Sequence, residues 1–163
     1  MAKVWVFAEV HNGKVDSTAL EILTRARDLE GAEVEAVALG PGATEAAGPL
    51  GEHGAARVFA SDDDVYGDFV AQPATEALYQ LVQEHSPELV LFAANYDSRD
   101  IAGRLSAKTG STLMSNVSAI HDLNTAQHAM WRHDAGRRHA RGLAQASARK
   151  AQVIRGIPDR GPG

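Results

Sequence analysis

The 163-residue sequence contains no cysteine, so disulfide bonds and thiolate metal sites are excluded, and the absence is compatible with a reducing compartment. Long apolar runs are missing as well, since none approaches the roughly 20 residues that a membrane-spanning helix needs. The amino terminus has one basic residue, Lys3, before a short apolar run that stops at Glu9, which is unlike a signal peptide. We therefore expect a cytoplasmic protein without membrane insertion.

The motifs of common catalytic and nucleotide sites are also missing. The sequence has no GxxxxGK[ST], no GxSxG and no HExxH, and the Gly-Pro-Gly at 40–42 lacks the GxGxxG pattern. The seven histidines have no metal-ligand spacing. A solvated turn explains the three aspartates at 62–64 better than acid/base chemistry does, because no second base or apolar pocket accompanies them. We predict no catalytic residue and no metal site, and thus a protein that is not an enzyme.

Acidic and basic residues are distributed unevenly, and the distribution divides the chain near Met130. Residues 1–130 carry 19 acidic and 8 basic side chains, whereas residues 131–163 carry 2 acidic and 8 basic ones. The first part is typical of an acidic globular domain. The second has only five large apolar residues, too few to offset the entropy of ordering it. We expect one domain over 1–130 and a basic tail over 131–163.

Apolar segments and amphipathic segments alternate along the first part. This alternation predicts repeated βαβ units and hence an α/β fold with a doubly wound parallel sheet in three α/β/α layers. Asn12-Gly13 predicts a tight hairpin with both residues at positive φ, and Gly48-Pro49 is expected to break a short helix over 43–47. The predicted strands are 4–9, 34–39, 56–60, 89–94 and 112–117, and the longer predicted helices begin near Thr18, Pro73 and Asp97.

The stretch at 89–100 organises this fold. Six apolar residues suit a strand that is covered on both faces, and polar residues that can open a helix follow at once. In an open parallel sheet, ligand and partner crevices lie beyond the carboxyl ends of the strands, where the strand order reverses. We expect Asp97 and Asp100 to cap that helix, while Arg99 could bind a partner carboxylate or form a local salt bridge. The candidate contact residues are Ala8, Glu9, Asn95, Tyr96, Asp97 and Arg99.

Three segments together carry a resemblance to a known family. They are VWVFAEVHNGKVDSTALEILTRARDL at 4–29, VEAVALGPGATEAAGPLGEHGAARVF at 34–59 and LVLFAANYDSRDIAGRLSAKTGSTLMSNVSAI at 89–120. In order, spacing and turns, residues 3–130 resemble the amino-terminal domain of the electron transfer flavoprotein α subunit. That domain belongs to the nucleotide-binding-like, adenine nucleotide hydrolase-like architecture.

The resemblance implies a heterodimer of α and β subunits that holds one FAD. The family relays electrons from acyl-CoA dehydrogenases and similar enzymes, as in fatty acid β-oxidation, to a membrane quinone reductase. Its FAD is held chiefly by a carboxyl-terminal domain that this chain lacks, so no cofactor-binding residue is assigned and no flavin is expected on this chain alone. The alternative is a stand-alone adenine-nucleotide-binding module of stress-protein type, although NYDSRD stands where those proteins carry a phosphate motif.

The tail departs from the family. Two closing strands, resembling HAVFGGTT and LVRPKSF, are expected after residue 127, but residues 131–163 match neither. Codons for 128–135 and 149–158 can encode both motifs when read one base later, so we hypothesise that the frame breaks near Met130 and that the domain lacks its closing strands. The nucleotide sequence of the gene tests this hypothesis. A basic tail also attracts phosphates whatever the base sequence, but no specific nucleic-acid partner is expected.

Overall fold

The computed structural model describes residues 1–68, 71–123, 126–128 and 151–155. The strands are β1 (Ala2–His11), β2 (Lys14–Val15), β3 (Ala32–Leu39), β4 (Arg57–Ser61), β5 (Leu89–Ala93), β6 (Thr112–Ile120), β7 (Ala126–His128) and β8 (Ala151–Arg155). The helices are α1 (Ser17–Ala26), α2 (Ala47–Glu52), α3 (Val65–Asp68), α4 (Ala71–His85) and α5 (Tyr96–Thr109). Within these ranges, no helix has the length and apolarity that crossing a membrane requires.

The strands form one sheet in the order β4-β3-β1-β5-β8-β6-β7, with β2 paired to the end of β1. The pairs β3–β4, β1–β3 and β1–β5 are parallel, whereas β8 is antiparallel to both of its neighbours. The chain moves outward from β1 to β3 and β4, and then crosses back to place β5 on the other side of β1. This reversal confirms the predicted α/β fold with a doubly wound sheet.

Two apolar layers sandwich the sheet, and alternation along β1 shows how they are divided. Val4, Val6 and Ala8 pack with buried residues of α1, while Trp5 and Phe7 pack with those of α4 and α5. All of these side chains are buried. The run of apolar residues without polar alternation is thus explained by helices on both faces, and the three-layer arrangement is as predicted.

The expectation that the closing strands are absent differs from the structure. Residues 151–155 form β8, which lies between β5 and β6, and β7 pairs with the outer side of β6. The physical reason is that β5 and β6 both offer backbone hydrogen-bonding groups that need a partner. The low apolar content of residues 131–163 as a whole also does not hold for β8, in which three of five residues are apolar. The sheet therefore extends beyond residue 130, where the domain was expected to end. The frame hypothesis itself stays a prediction, and residues 129–150 and 156–163 lie outside the described ranges.

Helix α2 also departs from expectation. It spans Ala47–Glu52 and so contains Gly48-Pro49, which had been expected to end a helix over 43–47. Pro49 is the third residue of α2, within the first turn, where a backbone N–H has no partner inside the helix. Proline therefore costs little there, and the predicted break is wrong.

Candidate functional site

The candidate site lies where the strand order reverses, at the carboxyl ends of β1 and β5. These strands are neighbours in the sheet. The helix after β1, α1, packs on one face of the sheet, and the helix after β5, α5, packs on the other. The loop after β5 leads directly into α5, so the first turn of that helix borders the end of β1. The strand order therefore reverses between β1 and β5, which is the place where the crevice was predicted to lie.

A buried carboxylate from β1 contacts this helix. Glu9 is only 8% exposed, and alternation along β1 turns its side chain to the face on which α5 packs. Its Oε1 accepts a short hydrogen bond from the Ser98 hydroxyl, and its Oε2 lies 3.4 Å from Nε2 of His11. Because a buried carboxylate without partners is costly, these two contacts explain how Glu9 is retained at the end of an otherwise apolar strand.

The first turn of α5 is capped by an asparagine rather than an aspartate. Asn95 has extended backbone angles, and its Oδ1 accepts the backbone N–H of Ser98 at 2.9 Å. Asp97 lies in the first turn, where its charge is favourable toward the helix dipole, and Asp100 accepts from Nε of Arg104 at 2.8 Å. The prediction that Asp97 and Asp100 cap the helix is therefore wrong, because Asn95 immediately precedes the helical backbone and occupies the N-cap position.

The six predicted contact residues fall into three groups. Ala8 has no exposed surface and packs with α1 on the other face of the sheet, so it cannot contact a partner. Glu9 and Asn95 bind Ser98 and hold the helix in place. Tyr96, Asp97 and Arg99 are exposed, and Tyr96 is 90% exposed, so these three remain as candidate contacts.

Sequence reasoning missed Ser98 and His11 as partners of Glu9. Ser98 is three residues after the N-cap, at the position whose side chain points back toward the preceding turn. The sequence feature that could have indicated this contact was a small polar residue three positions after an N-cap candidate. The contact of His11 depends on the hairpin that follows β1, and no local pattern indicates it.

The opposite wall of the crevice is built from two loops in close contact. Asn12 and Gly13 both have positive φ, 52° and 73°, and join β1 to β2, which confirms the predicted hairpin. A Cβ atom built on Gly42 would lie 2.5 Å from the Cα of Gly13, so the hairpin rests directly on the loop after β3. A pocket of about 80 Å³ opens beside this contact, lined by Phe7, Glu9, Val10, His11, Leu39, Gly40, Pro41, Tyr66, Gly67 and Ala74.

A third loop, which follows β4, contacts the loop after β3 through Asp62. Its Oδ1 accepts the backbone N–H of Thr44 at 2.8 Å. Hydrogen bonds from the Thr44 hydroxyl, and then from its backbone amide, hold the pKa of Asp62 below its ordinary value of 3.8. The aspartates at 62–64 thus form a turn in which at least Asp62 has a structural contact.

The lowered pKa of Asp62 makes folding depend on pH in a defined direction. A carboxyl whose pKa is lower when folded contributes stability above its ordinary value, and this contribution is lost as the pH falls through the folded value. We expect the Asp62→Asn variant to show a weaker loss of stability below the ordinary pKa of 3.8 than the parent. Acid unfolding followed by circular dichroism measures this, with Asp64→Asn as a control of equal charge change. If the two variants lose the same amount of stability as the pH falls, the stabilising contact between Asp62 and Thr44 is not present in solution.

In the part of the chain that the structure describes, no three His, Asp or Glu side chains come together in a way that could hold a metal ion.

The class defined by the fold and the crevice is an α/β domain of nucleotide-binding-like architecture, with a carboxylate buried at the reversal of strand order.

Comparison with known proteins identifies the family. The electron transfer flavoprotein domain matches residues 4–151, and the chain belongs to this family. The match extends past Met130, where the resemblance had been expected to end. Members of the family are electron carriers rather than enzymes, and they use flavin. The stand-alone nucleotide-binding alternative is not favoured.

The curated relatives are named as subunits of electron carriers. The chain is 30% identical over 120 residues to the electron transfer flavoprotein subunit alpha of Thermoanaerobacterium thermosaccharolyticum, covering 72% of this chain and 36% of the relative. It is 32% identical over 133 residues to the protein of that name from Mycobacterium tuberculosis, covering 80% and 41%. It is 28% identical over 125 residues to the acryloyl-CoA reductase electron transfer subunit beta of Anaerotignum propionicum, covering 74% and 34%. The chain thus spans little more than a third of the length of these relatives.

The flavin that the family implies does not fit the pocket beside β1. Pockets that hold a cofactor or a drug-sized molecule usually measure about 300 Å³ or more, whereas this pocket measures about 80 Å³. The carboxylate of Glu9 borders it and is already engaged by Ser98, and the remaining lining residues belong to β1, β3, the loop after β3, α3 and α4.

Proposed function

We propose that this chain is the amino-terminal domain of an electron transfer flavoprotein α subunit, and that it packs against a β subunit. The observation that carries the proposal is the family match over residues 4–151, together with relatives named as subunit alpha. Such a domain contributes a rigid packing surface to the electron carrier. It performs no redox step and has no catalytic residue of its own.

We further propose that FAD is bound in the intact heterodimer by residues other than those of this chain. The small size of the pocket beside β1 supports this proposal. The chain by itself is then expected to purify without flavin. Its electron donors would be acyl-CoA dehydrogenases and similar enzymes. The relative whose name links it to an acryloyl-CoA reductase supports redox partners that act on acyl-CoA thioesters.

The exposed first turn of α5 is the proposed contact surface for the β subunit. Tyr96 is an aromatic side chain with 90% of its surface exposed, and the charged residues Asp97 and Arg99 flank it. Tyrosine and arginine are enriched at protein interfaces and among the residues that contribute most of the binding energy. The capping bond of Asn95 and the contact of Ser98 with Glu9 hold the backbone of this turn, so the surface is formed before a partner binds.

Binding to the β subunit encoded by the same organism tests the function. We expect the full chain to form a one-to-one complex in size-exclusion chromatography and a saturable isotherm in calorimetry. The Tyr96→Ala variant should bind at least ~10-fold more weakly, because truncating an interface anchor typically costs about 2 kcal/mol or more.

Tyr79→Ala is the matched control, since it also removes one aromatic ring. Tyr79 lies on α4 with Nζ of Lys108 4.7 Å from its ring centroid, away from the first turn of α5. If the parent chain does not bind the β subunit, the proposed function is wrong. If the parent binds and the two variants bind equally, the function stands and the contact surface is wrong.

A further inference from the structure

Two carboxylates are buried in the sheet, and the first of them has a cationic partner. Glu35 of β3 is 2% exposed. It accepts from Nε1 of Trp5 at 2.8 Å, and Nε of Arg57 lies 3.7 Å from its Oε1. A buried carboxylate is costly unless it is hydrogen-bonded and paired with a positive charge. Glu35 has both a hydrogen-bond donor and a guanidinium group beside it.

Glu9, the second buried carboxylate, has weaker partners. It is 8% exposed, and the uncharged hydroxyl of Ser98 donates to its Oε1. Its ion-pair partner among the described residues is His11, whose Nε2 lies 3.4 Å from Oε2 and whose side chain is 65% exposed. Because solvent screens contacts with an exposed side chain, His11 offsets little of the cost of burying the charge of Glu9.

The pocket beside β1 adjoins this carboxylate. Among the described residues that line it, Glu9 is accompanied by two aromatic residues, Phe7 and Tyr66, and no Lys or Arg. The exposed side chain of His11 also lines the pocket, which therefore reaches the surface. One water needs about 10–15 Å³ of pocket volume, so about 80 Å³ fits a group of only a few heavy atoms.

We propose that the pocket beside β1 binds a short primary alkylammonium group, whose positive charge pairs with Glu9 and whose carbon chain contacts the apolar wall. An ammonium is a compact charge with three N–H donors, so it can supply the counter-charge that Glu9 lacks within the described chain. Aromatic rings also attract cations, and the carboxylate repels anions. The site does not rest on the proposed function.

Titration of the full chain with n-butylammonium chloride tests the proposal, with sodium chloride as the matched salt. The amide signals of residues 9–11 and 39–41 are followed by NMR. We expect saturable shifts with a Kd on the order of millimolar, because a ligand of a few heavy atoms has a limited binding energy. The uncharged analogue 1-butanol should bind at least ~10-fold more weakly, since it cannot pair with the buried charge.

Glu9→Gln keeps the shape of the side chain and removes its charge, so it should weaken binding of n-butylammonium at least ~10-fold. Glu35→Gln is the matched control. It removes an equally buried negative charge, but Glu35 is not among the residues that line the pocket. Its affinity should equal that of the parent, which excludes a general attraction of the cation to an acidic protein.

Tyr66→Leu keeps the test decisive if Glu9→Gln does not fold. This variant removes an aromatic ring from the residues that line the pocket, retains an apolar side chain and leaves Glu9 unchanged. We expect n-butylammonium to bind about 2- to 5-fold more weakly to it. The affinity for 1-butanol should change less, because the uncharged ligand loses no cation–π attraction. Equal changes for the two ligands would contradict the proposal.

The ammonium group could come from a free amine or from a lysine side chain of a β subunit. If a β-subunit lysine occupies the pocket, adding the β subunit displaces n-butylammonium. If the pocket takes free amines, n-butylammonium still binds in the complex. Both outcomes support the site, and each identifies one source of the ammonium group.

Three results with the chain alone would overturn the proposal. The first is the absence of saturable shifts when n-butylammonium is added to the parent. The second is equal affinity of the parent for n-butylammonium and 1-butanol, which would show that the pocket recognises only the carbon chain. The third is a folded Glu9→Gln variant that binds n-butylammonium as tightly as the parent does.

Discussion

Replacing Ile154 with proline is expected to destabilise the folded chain by about 3 kcal/mol or more. Ile154 lies opposite Val90 on one side and Leu113 on the other, so β8 is an interior strand. Proline has no N–H for the ladder and leaves a carbonyl of a neighbouring strand without its partner. The expected loss is a large part of the stability of an ordinary domain, which is about 5–15 kcal/mol.

Urea denaturation of the parent, Ile154→Pro and Ile154→Ala measures this effect. The alanine variant retains the backbone N–H, so a much larger loss for proline identifies the ladder as the cause. The experiment also separates two views of residues 131–163. If they are an out-of-frame product with no place in the fold, the proline variant will unfold at the same urea concentration as the parent, and β8 is then not part of the sheet in solution.

Replacing Gly42 with alanine is expected to cost about 2–5 kcal/mol. Gly42 has φ of 86°, and an added Cβ would lie 2.5 Å from Cα and 2.8 Å from N of Gly13. The clash is with backbone atoms, so rotating a side chain cannot relieve it. The hairpin must move away from the loop after β3, which opens the wall of the crevice beside Glu9 and His11.

Gly31→Ala is the control for the conformational part of this cost. Gly31 has a similar φ of 77°, but an added Cβ there would meet nothing within 4 Å. Its substitution should cost only the left-handed conformation, about 1–2 kcal/mol. Equal losses of stability for Gly42→Ala and Gly31→Ala would show that the hairpin and the loop are not in close contact in solution.

Much of the fold could be predicted because its signals are local. The apolar run at 89–94 without alternation predicts a strand covered on both faces, and β5 is such a strand. Asn12-Gly13 predicts a hairpin because both residues tolerate positive φ, and both have it. The reversal of strand order between β1 and β5 followed from the same alternation of elements, since repeated βαβ units constrain the topology.

The roles of individual residues in the crevice could be predicted less well. The sequence indicates that residues 95–100 open a helix, but Asn95 rather than Asp97 caps it, because capping depends on where the helical backbone begins. The sequence also groups Ala8 with Glu9, although alternation along β1 sends these two side chains to opposite faces of the sheet.

The sequence by itself determined the class of fold, the hairpin and the family, because periodicity, turn residues and motif order act over short stretches of chain. Only the tertiary structure decided that residues 151–155 enter the sheet between β5 and β6, and that Glu9 binds Ser98, 89 residues away. Both depend on contacts between distant segments. Such contacts form because an unpaired strand edge and a buried carboxylate each require a partner, and no local pattern specifies which distant segment supplies it.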